Sequence, residues 1–219
     1  MTTTITKTHK VAANKKVAPA FTKHILATFF AANAVEIVEG NEWYPTAYKY
    51  CEAIANDTGL SVAKVAAVCA ALSPNNKWEK NVADTEALCV AYVTLNVEAA
   101  HLVKVSTYNT NKQKALDILE ADDNEETHLA ILNGQKVKAF YLSIMGNPDA
   151  VCIDGHAYSV WVGKYIPTTK TPSIGVPLHK RIVASYILAK NKINTLLGTN
   201  YTAAQIQAIT WVAHKRIHA

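Results

Sequence analysis

Apolar residues recur at spacings of three and four along almost the whole chain, and glycines and prolines divide the pattern into pieces of helical length rather than into alternating strands. The pattern predicts an all-α protein. Ser61 can cap a helix whose Val62, Val65, Cys69 and Leu72 share one face, and Pro74 closes it by disfavouring α geometry at Ser73. A second helix is expected to start with Pro74 in its first turn and to continue through Trp78, Val82, Leu88 and Tyr92. Ala115, Ile118 and Leu119 mark another after Asn109 and Thr110, and the acidic stretch 120–126 reads as a solvated loop. A helix over 135–145 follows Gly134, an extended apolar stretch over 150–153 leads into a helix beginning near Asp154, and 168–177 is a surface connection. Helices over 178–191 and 203–218 complete the chain, with Trp211 expected as a core anchor.

At 219 residues and 50% hydrophobic content the chain can bury one substantial core or two small lobes. The longest near-apolar stretches fall short of the ~20 residues of a membrane-spanning helix, and no secretory h-region opens the chain, so a non-membrane, cytoplasmic protein is expected. Cys51, Cys69, Cys89 and Cys152 are scattered through apolar runs without metal-ligand spacing, which reads as buried free thiols with no metal and no cofactor.

The net charge of +5 sits entirely in the first 35 residues, where Lys7, Lys10, Lys15, Lys16 and Lys23 meet no acid; the remainder holds 17 basic and 17 acidic side chains. Residues 1–20 read as a flexible basic tail ahead of a single helical domain over 21–219. This head is an arm that touches phosphates, a transit peptide or a solvated tail. Arg181 and Arg216 are the two arginines, so an acidic polymer would be held by lysines and backbone amides.

Three stretches carry candidate chemistry: Ala71-Leu72-Ser73-Pro74-Asn75-Asn76-Lys77-Trp78-Glu79-Lys80-Asn81, the glycine turn Leu132-Asn133-Gly134-Gln135-Lys136-Val137-Lys138-Ala139-Phe140, and Val151-Cys152-Ile153-Asp154-Gly155-His156-Ala157. Each has a structural reading as well. Asp154 can be a helix N-cap worth ~1 kcal/mol, Lys136 and Lys138 can be solvated lysines on an amphipathic helix, and His156 can be a hydrogen-bonding scaffold residue. Asn75 and Asn76 can simply stop a helix, and Trp78 and Tyr158 can be core.

In their order and spacing these elements resemble the helix-hairpin-helix DNA glycosylases, with Gly134-Gln135-Lys136 similar to the end of the hairpin and Asp154-Gly155-His156 similar to the family's Asp-x-His. Lys136 and Asp154 lie 18 residues apart, close to the family interval. Leu132 replaces the first hairpin glycine, and Val137-Lys138 replaces the usual Thr-Ala. The resemblance covers about 60–165 and implies two interleaved helical lobes around a central cleft, a monomeric DNA-acting enzyme, and catalysis by Asp154 and Lys136, with Lys138 the other candidate amine. It further implies DNA contacts from Asn75, Asn76, Lys77, Gly134, Gln135, Lys138 and His156, Asn75 entering the duplex.

The chemistry is coherent on physical grounds. A base must leave the stack before its glycosidic carbon can be reached. A carboxylate at a helix start, where the dipole stabilises negative charge, can face a cationic sugar or take a proton, and a deprotonated lysine can attack the sugar carbon. Base excision is one expected function. A phage-type transferase that places an amine on an activated thymine, and a DNA-binding protein without catalysis, are the others. For each of them DNA affinity should fall steeply with salt, and deleting residues 1–20 should shallow the slope by about 0.9 in log K per lysine removed from phosphate; titrations at several salt concentrations measure it.

Overall fold

The computed structural model describes residues 18–218, whose regular elements are all helical, with no strand among them. The elements are α1 (Ala18–Phe30), α2 (Ala34–Thr58), α3 (Val62–Leu72), α4 (Trp78–Thr94), α5 (Val97–Leu102) and α6 (Asn109–Glu120). Then come α7 (Glu125–Leu132), α8 (Gln135–Ile144), α9 (Gly155–Val162), a 3-10 turn at Thr168–Lys170, α10 (Val176–Leu197) and α11 (Ala203–Ile217). The all-α expectation holds. Lys7, Lys10, Lys15 and Lys16 lie outside the described residues, whereas α1 begins at Ala18 and carries Lys23, so the basic segment gives way to helix before residue 20. A deletion meant to spare the fold must therefore end before Ala18.

Capping accounts for most boundaries. The Ser61 hydroxyl accepts the Lys64 N–H at 3.0 Å and starts α3. Its end differs in mechanism from the expectation: Ser73 keeps right-handed geometry (φ −69°, ψ −27°). The helix stops because Pro74 has no N–H for the Ala70 carbonyl, and the Ser73 hydroxyl (2.9 Å) and amide (3.3 Å) take that acceptor instead. Asn75 then turns the chain with φ +55°, and α4 starts at Trp78 rather than at Pro74. The acidic stretch is also only partly loop. Asn124 caps α7, and Glu125 and Glu126 form its first turn, where the helix dipole favours acids.

The longest helix, α2, runs unbroken through Gly40 and Pro45, two residues that punctuate helices elsewhere. Its start is a capping box between Asn33 and Glu36 (3.0 and 2.8 Å). The buried Glu36 carboxylate also accepts hydrogen bonds from Arg216 near the end of α11, which hold its pKa below the ordinary range. The two helices run antiparallel, with Asn41 bonded to Gln205 (2.7 Å) and Tyr44 to Gln207 (2.8 Å) farther along. Between these contacts a Cβ on Gly40 would lie 2.4 Å from the Ile209 Cα, so the backbones meet where no side chain fits.

The apolar interior forms two clusters. One joins residues of α2, α3, α4, α6 and α8 with Ala204 and Ala208 of α11; the other joins α1, α9, α10 and the opposite face of α11, including Ile206 and Ile209. The stretch before α9 is extended, and its side chains alternate: Val151 and Ile153 pack into the second cluster and Cys152 into the first. All four cysteines are buried and unpaired. Among the described residues no helix is long and apolar enough to cross a membrane.

Gly40→Ala should cost about 1–3 kcal/mol through overpacking at the α2–α11 crossing. Chemical denaturation will show this as a lower midpoint, whereas Gly59→Ala, at a position with open space but φ +73°, should cost less than the crossing does.

Candidate active site

The α2–α11 crossing opens toward α4 and α8 into a cavity of about 530 Å³. Helical spacing supplies two of its walls: Glu39 and Trp43 project one turn apart from α2, and Gln207, Trp211 and Lys215 follow at four-residue intervals on α11. Trp43 stands between Trp211 (ring centroids 5.0 Å) and Trp78 (5.6 Å), and Phe140 meets the Trp78 face edge-on at 6.5 Å. A flat ring finds aromatic surface on several sides. Charged residues at this cavity, Glu39, Lys77, Glu79, Lys136 and Lys215, are exposed.

Asp154 caps α9, its Oδ1 accepting the Ala157 N–H at 2.8 Å, while its Oδ2 accepts the Trp211 indole N–H at 3.0 Å. The capping role anticipated from sequence is real. It leaves the carboxylate fixed at both oxygens and placed on the cavity wall.

Lys136, in the first turn of α8, lines the same cavity, as does Asp154, and its ammonium forms no ion pair among the described residues. Lys138 lines neither this cavity nor its neighbour. The turn that delivers Lys136 is unusual: the Gly134 N–H closes a three-residue turn onto the Leu132 carbonyl at 2.6 Å, with Asn133 at φ +57°, ψ −37°. Such γ-turns are strained. The residue in the left-handed half of the map is thus Asn133, and Gly134 is extended.

A second cavity of about 350 Å³ lies on the other side of these groups. Gly134 and Gln135 at the start of α8, Gly155 at the start of α9, and Thr168, Thr171 and His179 line it. The Thr171 Oγ1 and His179 Nε2 atoms are buried there without hydrogen-bond partners. Lys136 and Asp154 are the residues common to both cavities.

The remaining sequence candidates divide. Lys77 and Asn76 line the large cavity, and Asn75, one position before, is exposed on the same turn, which the Thr107 hydroxyl pins through the Pro74 carbonyl at 2.6 Å. Asn76, however, donates to Asp84 (3.0 Å) and to the Leu72 carbonyl (3.4 Å), so its N–H₂ group is committed to the scaffold, while its Oδ1 is buried without a hydrogen-bond partner among the described residues. His156 lines neither cavity: its Nδ1 lies 3.2 Å from that of His214. Burial and the neighbouring His218 and His156 push His214 down to about 4, so it is neutral at pH 7 and the pair shares one proton donor. Trp211 is a cavity wall rather than core; Trp78 both lines the cavity and packs against the first cluster, and Tyr158 packs against the second.

Sequence reading missed Trp43, Tyr44 and Gln207. Tyr44 is buried, and burial raises its hydroxyl well above the ordinary range, so it remains a donor to Gln207. The available signal was the four-residue row Gln207, Trp211, Lys215, which places a polar, an aromatic and a basic group on one helical stripe.

Asp154→Ala should lower stability by about 0.5–2 kcal/mol, the usual cost of a lost cap, whereas Asp154→Asn should cost much less because asparagine caps equally well. Thermal melts of the two variants compare them.

No curated protein and no solved structure matches the chain. A family model does match, over residues 7–218, and carries the description Family of unknown function (DUF7178). With nearly its whole length covered by that model, the chain belongs to this family of unknown function.

Proposed function

We propose that the protein is a DNA glycosylase-type enzyme that acts on a base swung out of the duplex, on a helix-hairpin-helix glycosylase-like scaffold. The observation that carries this reading is the position of Lys136 and Asp154 on the wall shared by two cavities. A flipped nucleotide has three parts in a row: a flat base, a sugar and a phosphate. The tryptophan-lined cavity suits the base, and the cavity at the starts of α8 and α9 suits the phosphate, since first-turn N–H groups and helix dipoles favour an anion. The sugar then lies against the lysine and the carboxylate. Asn75, exposed beside the large cavity, is positioned to fill the space that the base leaves.

In this reading the Lys136 amine, once deprotonated, attacks C1′. The C1′–N bond breaks, the base leaves with the bonding pair and takes up a proton, and ring opening of the sugar gives a Schiff base. Asp154 stabilises the positive charge that develops on the sugar and accepts the proton released by the amine. Trp211 and the Ala157 amide hold the carboxylate in one orientation, so no reorganisation is needed as charge develops.

Asp154→Asn should reduce turnover by about 100- to 1000-fold, on the scale of a lost electrostatic stabiliser, with DNA binding and folding retained. The assay incubates the protein with a panel of natural and modified duplexes and reads the products by mass spectrometry. Release of a base supports excision, addition of a group supports the amine transferase, and binding without product supports a DNA-binding role. Lys136→Gln should abolish the borohydride-trapped adduct with DNA; trapping that survives the substitution removes Lys136 from the mechanism.

A further inference from the structure

Gln207 is 4% exposed, yet it lines the large cavity. Its two amide atoms have different fates. Oε1 accepts the Tyr44 hydroxyl at 2.8 Å. Nε2 has no hydrogen-bond partner among the described residues, and it is not among the side-chain nitrogens and oxygens sealed from solvent. The N–H₂ group thus keeps some surface, on a residue that lines the cavity.

A buried amide is informative only if its orientation is fixed, because a flip exchanges donor for acceptor. Here the orientation is the one in which the Tyr44 hydroxyl donates and the amide carbonyl accepts. Tyr44 is 6% exposed and presents its O–H along the α2–α11 seam, where the amide carbonyl satisfies it. The Gln207 backbone is fixed in turn by its place in α11, with the Thr210 hydroxyl on its carbonyl at 3.0 Å. The outcome is an oriented donor beside the aromatic walls of Trp43, Trp78, Trp211 and Phe140, held at 4% exposure where the cavity's charged groups, Lys77, Lys136 and Lys215 among them, are exposed.

Resting on the proposed action on a flipped base, we infer that Gln207 is the specificity-determining residue and that it selects a ring presenting a carbonyl oxygen, an oxo-base of the uracil, thymine or guanine type, over one presenting an amino group at that edge. The donor and a base carbonyl complete each other's hydrogen bonding. An amino group would set N–H against N–H and leave that contact unmade. Sites built to hydrogen-bond one substrate group reject the analogue lacking it far more strongly than apolar pockets reject a size change. The aromatic walls hold any flat ring, and Gln207 decides which ring stays.

The test is equilibrium binding of the full chain to duplexes with one 2′-fluoro-arabino nucleotide, whose fluorine suppresses cleavage at C1′. Uracil opposite guanine is compared with cytosine opposite adenine, so that mispairing eases extrusion in both. Wild type should favour uracil by at least about tenfold. Gln207→Glu, which replaces the donor by an acceptor, should erase or reverse the preference, and Tyr44→Phe, which frees the amide to flip, should reduce it. If Gln207→Glu does not fold, as judged by melting, Tyr44→Phe and Gln207→Leu carry the test. An unchanged uracil preference in the folded variants, or none in wild type, overturns the assignment. A duplex with an abasic site reports DNA binding separately and should bind all variants alike. If no duplex binds, the DNA reading fails by itself, and free uracil and cytosine are titrated against the fluorescence of the cavity tryptophans. Uracil selectivity there upholds the role of Gln207, and its absence overturns that as well.

Discussion

Where α2 crosses α11, the missing side chain of Gly40 lets the two backbones approach until a methyl group would lie 2.4 Å from the Ile209 Cα. Everything around the cavity depends on that approach. It sets the distance at which Tyr44 meets Gln207 and Asn41 meets Gln205, and it brings Trp43 within 5.0 Å of Trp211. It also ties together the two apolar clusters, because α11 gives Ala204 and Ala208 to one and Ile206 and Ile209 to the other. The seam is closed at one end by Glu36 and Arg216. Since Arg216 holds the Glu36 pKa below its ordinary 4.5, that closure contributes stability at and above this value and loses it as pH falls through the depressed folded-state pKa.

Asp154 shows how scaffold and site share one group. Its Oδ1 starts α9 and its Oδ2 fixes Trp211, so a single carboxylate orients a helix, an aromatic wall and a charge. Capping is what aims the carboxylate at the cavity. The same holds between α7 and α8, where the strained turn at Asn133 delivers Lys136 to the wall between the cavities.

Elements whose boundaries are written in local chemistry were legible in the sequence. Ser61 marks α3, Gly134 marks α8, and the change from an apolar tetrad to Asp154 marks α9. The convergence of Lys136, Asp154 and the 73–78 turn on one cavity was expected from their order. What stayed hidden depends on partners far along the chain. Gly40 and Pro45 read as punctuation, because nothing near them reveals that α2 needs a bare backbone to meet Ile209. Trp211 read as core because a tryptophan on a helix usually is, and the row Gln207, Trp211, Lys215 gives no hint of the Tyr44 that meets Gln207. The late start of α4 turned on Ser73 substituting for the missing Pro74 amide, a contact that propensity does not encode.

The order in which helices join the second cluster has a consequence for biosynthesis. Ile25 and Phe29 of α1 leave the ribosome early, but the helices that bury them, α9, α10 and α11, begin at Gly155, which at ordinary translation speed is a delay on the order of 10 s. A 13-residue helix is marginal by itself in water, so α1 has no durable structure until those partners arrive. α11, made after α9 and α10, is also the helix that supplies Gln207 and Trp211. A nascent chain that has not yet reached α11 therefore lacks one wall of the cavity.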